Sequence, residues 1–268
     1  MNRVVLIPTL VTLANAYCGV LAIYKTADGK FLAAAYLILL AMLFDVLDGI
    51  VARLARAQST FGGYLDSLSD AVSFGAAPVF LVKTVVEANY PWPALDGGFG
   101  YHPKLLTALT IPFAVLAIVR LARYNVEHAS SEGSDSSGQG IATFAGIPTP
   151  GAAGIIASLV MICYGEHSGD FFKPLIIALP PLCFLLGAAM VSRIPYAHFG
   201  SRFLKGRRDF SYLFMVLVLI IVAILFPEEA AAIGFLAYGI SGPILMLFGK
   251  KPTEVENVLD DADIPEGV

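Results

Sequence analysis

Charged side chains are scarce in this chain. Asp, Glu, Lys and Arg make up 14% of its 268 residues, against about 25% in an ordinary soluble domain, which leaves too few to cover a surface that faces water on every side. Basic residues are not in excess either. The formal net charge of −4 excludes the basic stripe with which proteins usually grip nucleic acid, so no nucleic-acid partner is expected. Only three cysteines occur, Cys18, Cys163 and Cys183, in separate apolar runs without metal-type spacing. That excludes a disulfide framework or a zinc knuckle and leaves them as small packing residues. The four histidines (His102, His128, His167, His198) are scattered and carry no recognisable role. No internal repeat is visible, so an inverted-repeat transporter gains no support.

What the chain has instead is apolar length. Hydrophobic residues make up 57% of it, gathered into runs many of which reach the roughly 17–25 residues that span a bilayer as a helix. The expectation is an all-α integral membrane protein, a polytopic bundle of about eight transmembrane helices near 5–24, 31–52, 67–88, 105–125, 149–165, 172–192, 210–226 and 229–248. The first run lacks a small-residue cleavage site and is expected to be a retained helix.

Placing both termini on one side gathers Arg3, Arg53, Arg56, Arg120, Arg123, the basic residues of 193–208, Lys250 and Lys251 there, twelve in all. Lys25, Lys30, Lys83, Lys104 and Lys173 remain on the other. The positive-inside rule then puts both termini in the cytoplasm, at a cell membrane. Residues 1–249 form the expected membrane domain. Residues 128–140 (HASSEGSDSSGQG) read as a polar cytoplasmic loop, and 250–268, ending in an acidic run, as a disordered tail.

The chemistry lies in residues 44–74, FDVLDGIVARLARAQSTFGGYLDSLSDAVSF. Asp45 and Asp48 are three apart, and Asp66 and Asp70 are four apart, so each pair shares a helix face. Gly49 and Ala52 lie on the first face and are small enough to let a ligand approach. Ser69 and Ser73 extend the second. Between the pairs runs a basic turn, Arg53 to Gly63, in which Gly62 and Gly63 are available for unusual backbone angles. Four carboxylates at a membrane boundary repel one another unless cations compensate them. Oxygen ligands without nearby His or Cys suit Mg²⁺, Mn²⁺ or Ca²⁺ rather than zinc. Phosphate chemistry commonly uses two such ions, and Arg53 and Arg56 would add positive charge for a diphosphate. The bland alternative, helix-end aspartates paired with those arginines, fits four carboxylates in this spacing poorly. A cation transporter would want carboxylates spread through the membrane depth, whereas these sit near one face.

These residues match D-x₂-D-G-x₂-A-R-x₈-G-x₃-D-x₃-D without a gap, filling every fixed position with Asp45, Asp48, Gly49, Ala52, Arg53, Gly62, Asp66 and Asp70. The pattern resembles the CDP-alcohol phosphatidyltransferase family. That resemblance implies two divalent cations, Mg²⁺ or Mn²⁺, held by Asp45, Asp48 and Asp66 with Asp70 close by. It implies Asp70 as the base that deprotonates an alcohol, a CDP-linked lipid as donor and CMP as leaving group. Gly49, Ala52, Arg53 and Gly62 would border the CDP, at the cytoplasmic face, and a homodimer is implied as well.

The acceptor must be read elsewhere. PTLVTLANAYCG (Pro8–Gly19), SFGAAP (Ser73–Pro78), RLARYN (Arg120–Asn125) and FAGIPTP (Phe144–Pro150) resemble the membrane-type phosphatidylserine synthases within that family, which implies serine. Arg120 and Arg123, three apart, and Arg193 would clamp an anionic acceptor or the diphosphate, or else act as headgroup anchors. Thr12 and Asn15 would contact the cytidine or bond to a neighbouring helix. A glycerol phosphate or inositol phosphate acceptor would favour a denser basic pocket. Gly146 with Pro148 and Pro150 should make a stiff turn into the fifth span.

Overall fold

The computed structural model describes residues 3–54, 59–94, 99–131, 146–165, 172–192 and 225–248. The described residues are helical, with no strand among them: α1 (Arg3–Ala27), α2 (Phe31–Leu54), α3 (Thr60–Asp70), a π-helical turn (Ala71–Ala76), α4 (Ala77–Asn89), α5 (Pro103–Ser131), α6 (Thr149–Tyr164), α7 (Lys173–Val191) and α8 (Pro227–Phe248). Five stretches are long and apolar enough to cross a membrane: Pro8–Ala27, Phe31–Ala52, Thr60–Asn89, Pro103–Val126 and Pro174–Val191. Large apolar side chains such as Leu13, Val46, Leu68, Val115 and Leu185 stand exposed along them, a surface suited to lipid rather than water. The chain is an integral membrane helical protein. Of the eight anticipated spans, 149–165 is the shorter helix α6 and 229–248 falls within α8. Most of 210–226, the segment 193–208 and the tail lie outside the described residues.

The turn from α1 to α2 is a Schellman motif. The Gly29 and Lys30 amides donate to the Thr26 and Lys25 carbonyls at 3.0 and 2.8 Å, and Gly29 takes φ 75°, a conformation that costs a residue with a Cβ. So short a connection makes α1 and α2 antiparallel neighbours. Both carry small buried residues, Ala22 on α1 and Ala34, Ala35 and Ala41 on α2, of the kind that let membrane helices approach closely.

The third span starts earlier than expected, at Thr60 rather than near residue 67. Ser59 caps it, its Oγ accepting from the Gly62 amide at 3.0 Å. The first two turns mix Phe61, Tyr64 and Leu65 with two glycines, Thr60 and Asp66, so an apolar criterion passes over them, while a good cap suffices to start the helix. Gly62 and Gly63 are therefore helical; the positive-φ glycines among the described residues are Gly29 and Gly146. The helix then widens to i→i+5 spacing from Ala71 to Ala76 before continuing as α4.

Helix α6 is buried on nearly every side from Thr149 to Met161, touching α2, α7, α8 and the π turn. A helix apolar all round belongs in the middle of a bundle. Rings of α8 fill its glycine notches: a Cβ on Gly151 or Gly154 would fall 2.8 Å from Tyr238 or 2.3 Å from Phe235. The anticipated turn into α6 is present. Gly146 has φ 90°, a Cβ there would sit 2.3 Å from the Met190 carbonyl oxygen, and the Ile147 amide donates to Ala189 at 3.2 Å.

Candidate active site

Two helices deliver the four aspartates to one place. Asp45 and Asp48 lie in the last turns of α2, and Asp66 and Asp70 lie on α3, just across the 55–58 connection. Carboxylate oxygens of Asp45, Asp48 and Asp66 come within 4.8 Å of one another. Asp48 is buried and the other two half-buried. Two of their oxygens, Asp48 Oδ2 and Asp66 Oδ1, are buried without a hydrogen-bond partner. Buried anionic oxygens left unpaired are costly, and converging ones more so. A donor set of three carboxylates is what a hard divalent cation takes, so these residues fit such an ion by chemistry and by proximity.

Asp70 is not one of the converging trio but lies within electrostatic reach of all three. It lies one helical turn further along α3, is buried, and accepts a hydrogen bond from Asn15 Nδ2 of α1 at 3.0 Å. Thr12, one turn before Asn15 on α1, is buried too; its hydroxyl donates to the Pro8 carbonyl at 3.1 Å and lies in reach of Asp48. The two polar residues of α1 thus face the aspartates. Gly49 borders open space: a Cβ there would meet nothing within 4 Å. Gly62 sits in the first turn of α3, and Ala52 is half-buried near the end of α2. Arg53 belongs to the last turn of α2; its side chain, like Arg56 and Arg193, lies outside the described residues.

Helix α5 also reaches the site. Asn125 and Ser67 are hydrogen-bonded to each other across α5 and α3, at 2.9 and 3.1 Å. Arg120 is half-buried, whereas Arg123 is exposed. Tyr124 lies within electrostatic reach of Asp66, Arg120 and Asp45. The structure therefore brings Arg120 and the aspartates around one space and adds Tyr124 and the Ser67–Asn125 pair. Sequence reasoning assigned these last residues no role. The signal available was the pair Tyr124–Asn125 that follows Arg123 in RLARYN, at the helix end that reaches the site.

An all-helical membrane bundle with a carboxylate cluster at one end of two adjoining helices defines a class, and the family is plain from the sequence as a whole. The CDP-alcohol phosphatidyltransferase family pattern matches residues 5–192, so the chain belongs to that family and is an enzyme of that kind. It is 30% identical over 250 residues to the CDP-diacylglycerol–serine O-phosphatidyltransferase of Helicobacter pylori, covering 92% of this chain and 94% of that protein. A protein of the same name from Methanocaldococcus jannaschii is 30% identical over 250 residues, 93% of this chain and 98% of its own length. The archaetidylserine synthase of Methanothermobacter thermautotrophicus is 37% identical over 169 residues, 62% of each chain.

Proposed function

We propose that this enzyme transfers the phosphatidyl group, or its archaeal ether-lipid equivalent, from a CDP-linked lipid to the hydroxyl of L-serine and releases CMP. The observation that carries the reaction is the convergence of Asp45, Asp48 and Asp66 within 4.8 Å in a chain of this family. The choice of serine is supported by relatives that bear serine in their names and match this chain over nearly its whole length.

Asp45, Asp48 and Asp66 would hold two divalent cations, Mg²⁺ or Mn²⁺, with Asp70 beside them. When bound, such ions neutralise the diphosphate and the charge that develops on the phosphoryl oxygens. Asp70 takes the proton of the serine hydroxyl. The serine oxygen forms its bond to the lipid-side phosphorus as the bond from that phosphorus to the CMP oxygen breaks, and CMP leaves with the electron pair. Most of the rate gain comes from holding the two reactants in line in a site of fixed charges. Gly49, Ala52, Arg53 and Gly62 leave room for and contact the CDP, and Thr12 lies at its α1 side. Arg120, beside Tyr124, receives the serine carboxylate, with Arg123 and Arg193 adding positive charge at the same end. The site faces the cytoplasm, both termini lie on that side, and the working unit is a homodimer in the cell membrane.

Purified enzyme given Mn²⁺ or Mg²⁺, a CDP-linked lipid and a panel of alcohols should release CMP with serine. Release with glycerol 3-phosphate or inositol phosphate in its place would overturn the acceptor. EDTA should stop turnover and added Mn²⁺ restore it. Asp48→Asn should weaken Mn²⁺ binding read by electron paramagnetic resonance, independently of activity.

A further inference from the structure

Asn15 is wholly buried on a helix that carries none of the four aspartates, yet its side chain is committed to one of them. The amide Nδ2 donates to Asp70 Oδ1 at 3.0 Å. An ionised carboxylate only accepts, so the NH₂ end of the amide must face it. Asn15 Oδ1 is left buried with no hydrogen-bond partner. Among the described residues, the side chain's one hydrogen bond is thus the bond to Asp70.

The backbone around Asn15 is clamped to the same stretch of chain. Ser73 Oγ donates to the Asn15 carbonyl oxygen at 3.0 Å. One turn further along α1, a Cβ on Gly19 would fall 2.3 Å from Ser73 Oγ and 2.7 Å from Ser73 Cα, so only glycine permits this approach. The π-helical turn begins at Ala71, the residue after Asp70. Helical register changes there, a feature common at functional sites, and α1 is what grips the chain on both sides of the change.

From this geometry we infer that Asn15 is a positioning residue for the transfer reaction, orienting the Asp70 carboxylate toward the acceptor hydroxyl, with Ser73 and Gly19 fixing α1 so that it can. The inference rests on the reading of Asp70 as the base. It gives Asn15 a different task from holding the cytidine, and the two tasks separate kinetically. An orienting residue acts on kcat, whereas a nucleotide contact acts on the donor KM.

The test uses the full chain, purified and assayed for CMP release. Asn15→Ala and the near-isosteric Asn15→Leu, which keeps most of the volume but has no donor, should each lower kcat by about 10²-fold, the scale of a misplaced catalytic group. KM for the CDP-linked lipid and for serine should stay within about twofold. Ser73→Ala, a benign change of size, should lower kcat in the same pattern by about tenfold, and it carries the test should the Asn15 variants fail to fold. Unchanged kcat in these variants, or a loss that falls on the donor KM, would overturn the inference. Asp70→Asn assayed in parallel separates the two levels. An inactive Asp70→Asn beside a fully active Asn15→Leu sinks the positioning role alone, while a near-normal Asp70→Asn removes the base and the positioning role with it.

Discussion

Asp70 and the trio Asp45, Asp48 and Asp66 are all carboxylates on adjoining turns, but their surroundings differ. The trio converges with two unpaired buried oxygens, and Asp70 is tied to α1 through Asn15. Replacing Asp70 by Asn should lower kcat by about 10²–10⁴-fold, the usual worth of a general base, with helix content unchanged by circular dichroism. Gly49→Ala has a different signature. A Cβ there meets no protein atom, and Ala favours a helix interior over Gly by about 1 kcal/mol. Thermal unfolding in detergent should therefore show no loss of stability, and any rise in the KM for the CDP-linked lipid reports contact with the ligand itself. Arg120→Ala should raise the KM for serine more than that for the donor; an effect confined to the donor would reassign Arg120 to the diphosphate. The four aspartates were legible because each pair is local, three or four residues apart. The sequence marks Asn15 as a cytidine contact or interhelix bond and Ser73 as part of the Asp66–Asp70 face, but not the bonds they make, since their partners lie 55 and 58 residues away.

At the scale of the helices, the anticipated turn at Gly146 and the early start of α3 show where pattern reading succeeds and where it stops. Gly146 sits among prolines, and that composition alone marks a rigid entry into α6. Its φ of 90° and the Met190 carbonyl 2.3 Å from a would-be Cβ make Gly146→Ala costly, by about 1–3 kcal/mol. A lowered unfolding midpoint in detergent, with the aspartate site still binding Mn²⁺, is the expected result. The residues at 60–66 do not read as part of an apolar run because Thr60, Gly62, Gly63 and Asp66 interrupt it, although Ser59 supplies an effective cap. The π turn at Ala71–Ala76 has no sequence signature of its own. It reflects how α3 and α4 meet α1, α5 and α6, a property of the packing.

For the whole molecule, the distribution of Lys and Arg sets an orientation that chemical labelling can check. The α1–α2 turn and the start of α5 should face outward, and the end of α2 inward. In a background lacking the three native cysteines, Asp28→Cys and Lys104→Cys should react with a membrane-impermeant maleimide on intact cells. Leu54→Cys, at the exposed end of α2, should react only after permeabilisation. The reverse pattern would invert the topology and move the site to the other face. The sequence by itself determined that this is a helical membrane protein, that its chemistry sits where two helices meet at one face, and that the reaction belongs to the phosphatidyl transfers. The first two follow from composition, apolar run length and local spacing, and the third from the resemblance of the Asp45–Asp70 motif to the CDP-alcohol phosphatidyltransferase family. Only the tertiary structure decided that α6 is the enclosed helix, that three aspartates converge while the fourth is held by α1, and that α5 brings Arg120 and Tyr124 to their side. Those arrangements come from contacts between helices distant in sequence, where small residues allow close approach and buried polar groups must find partners.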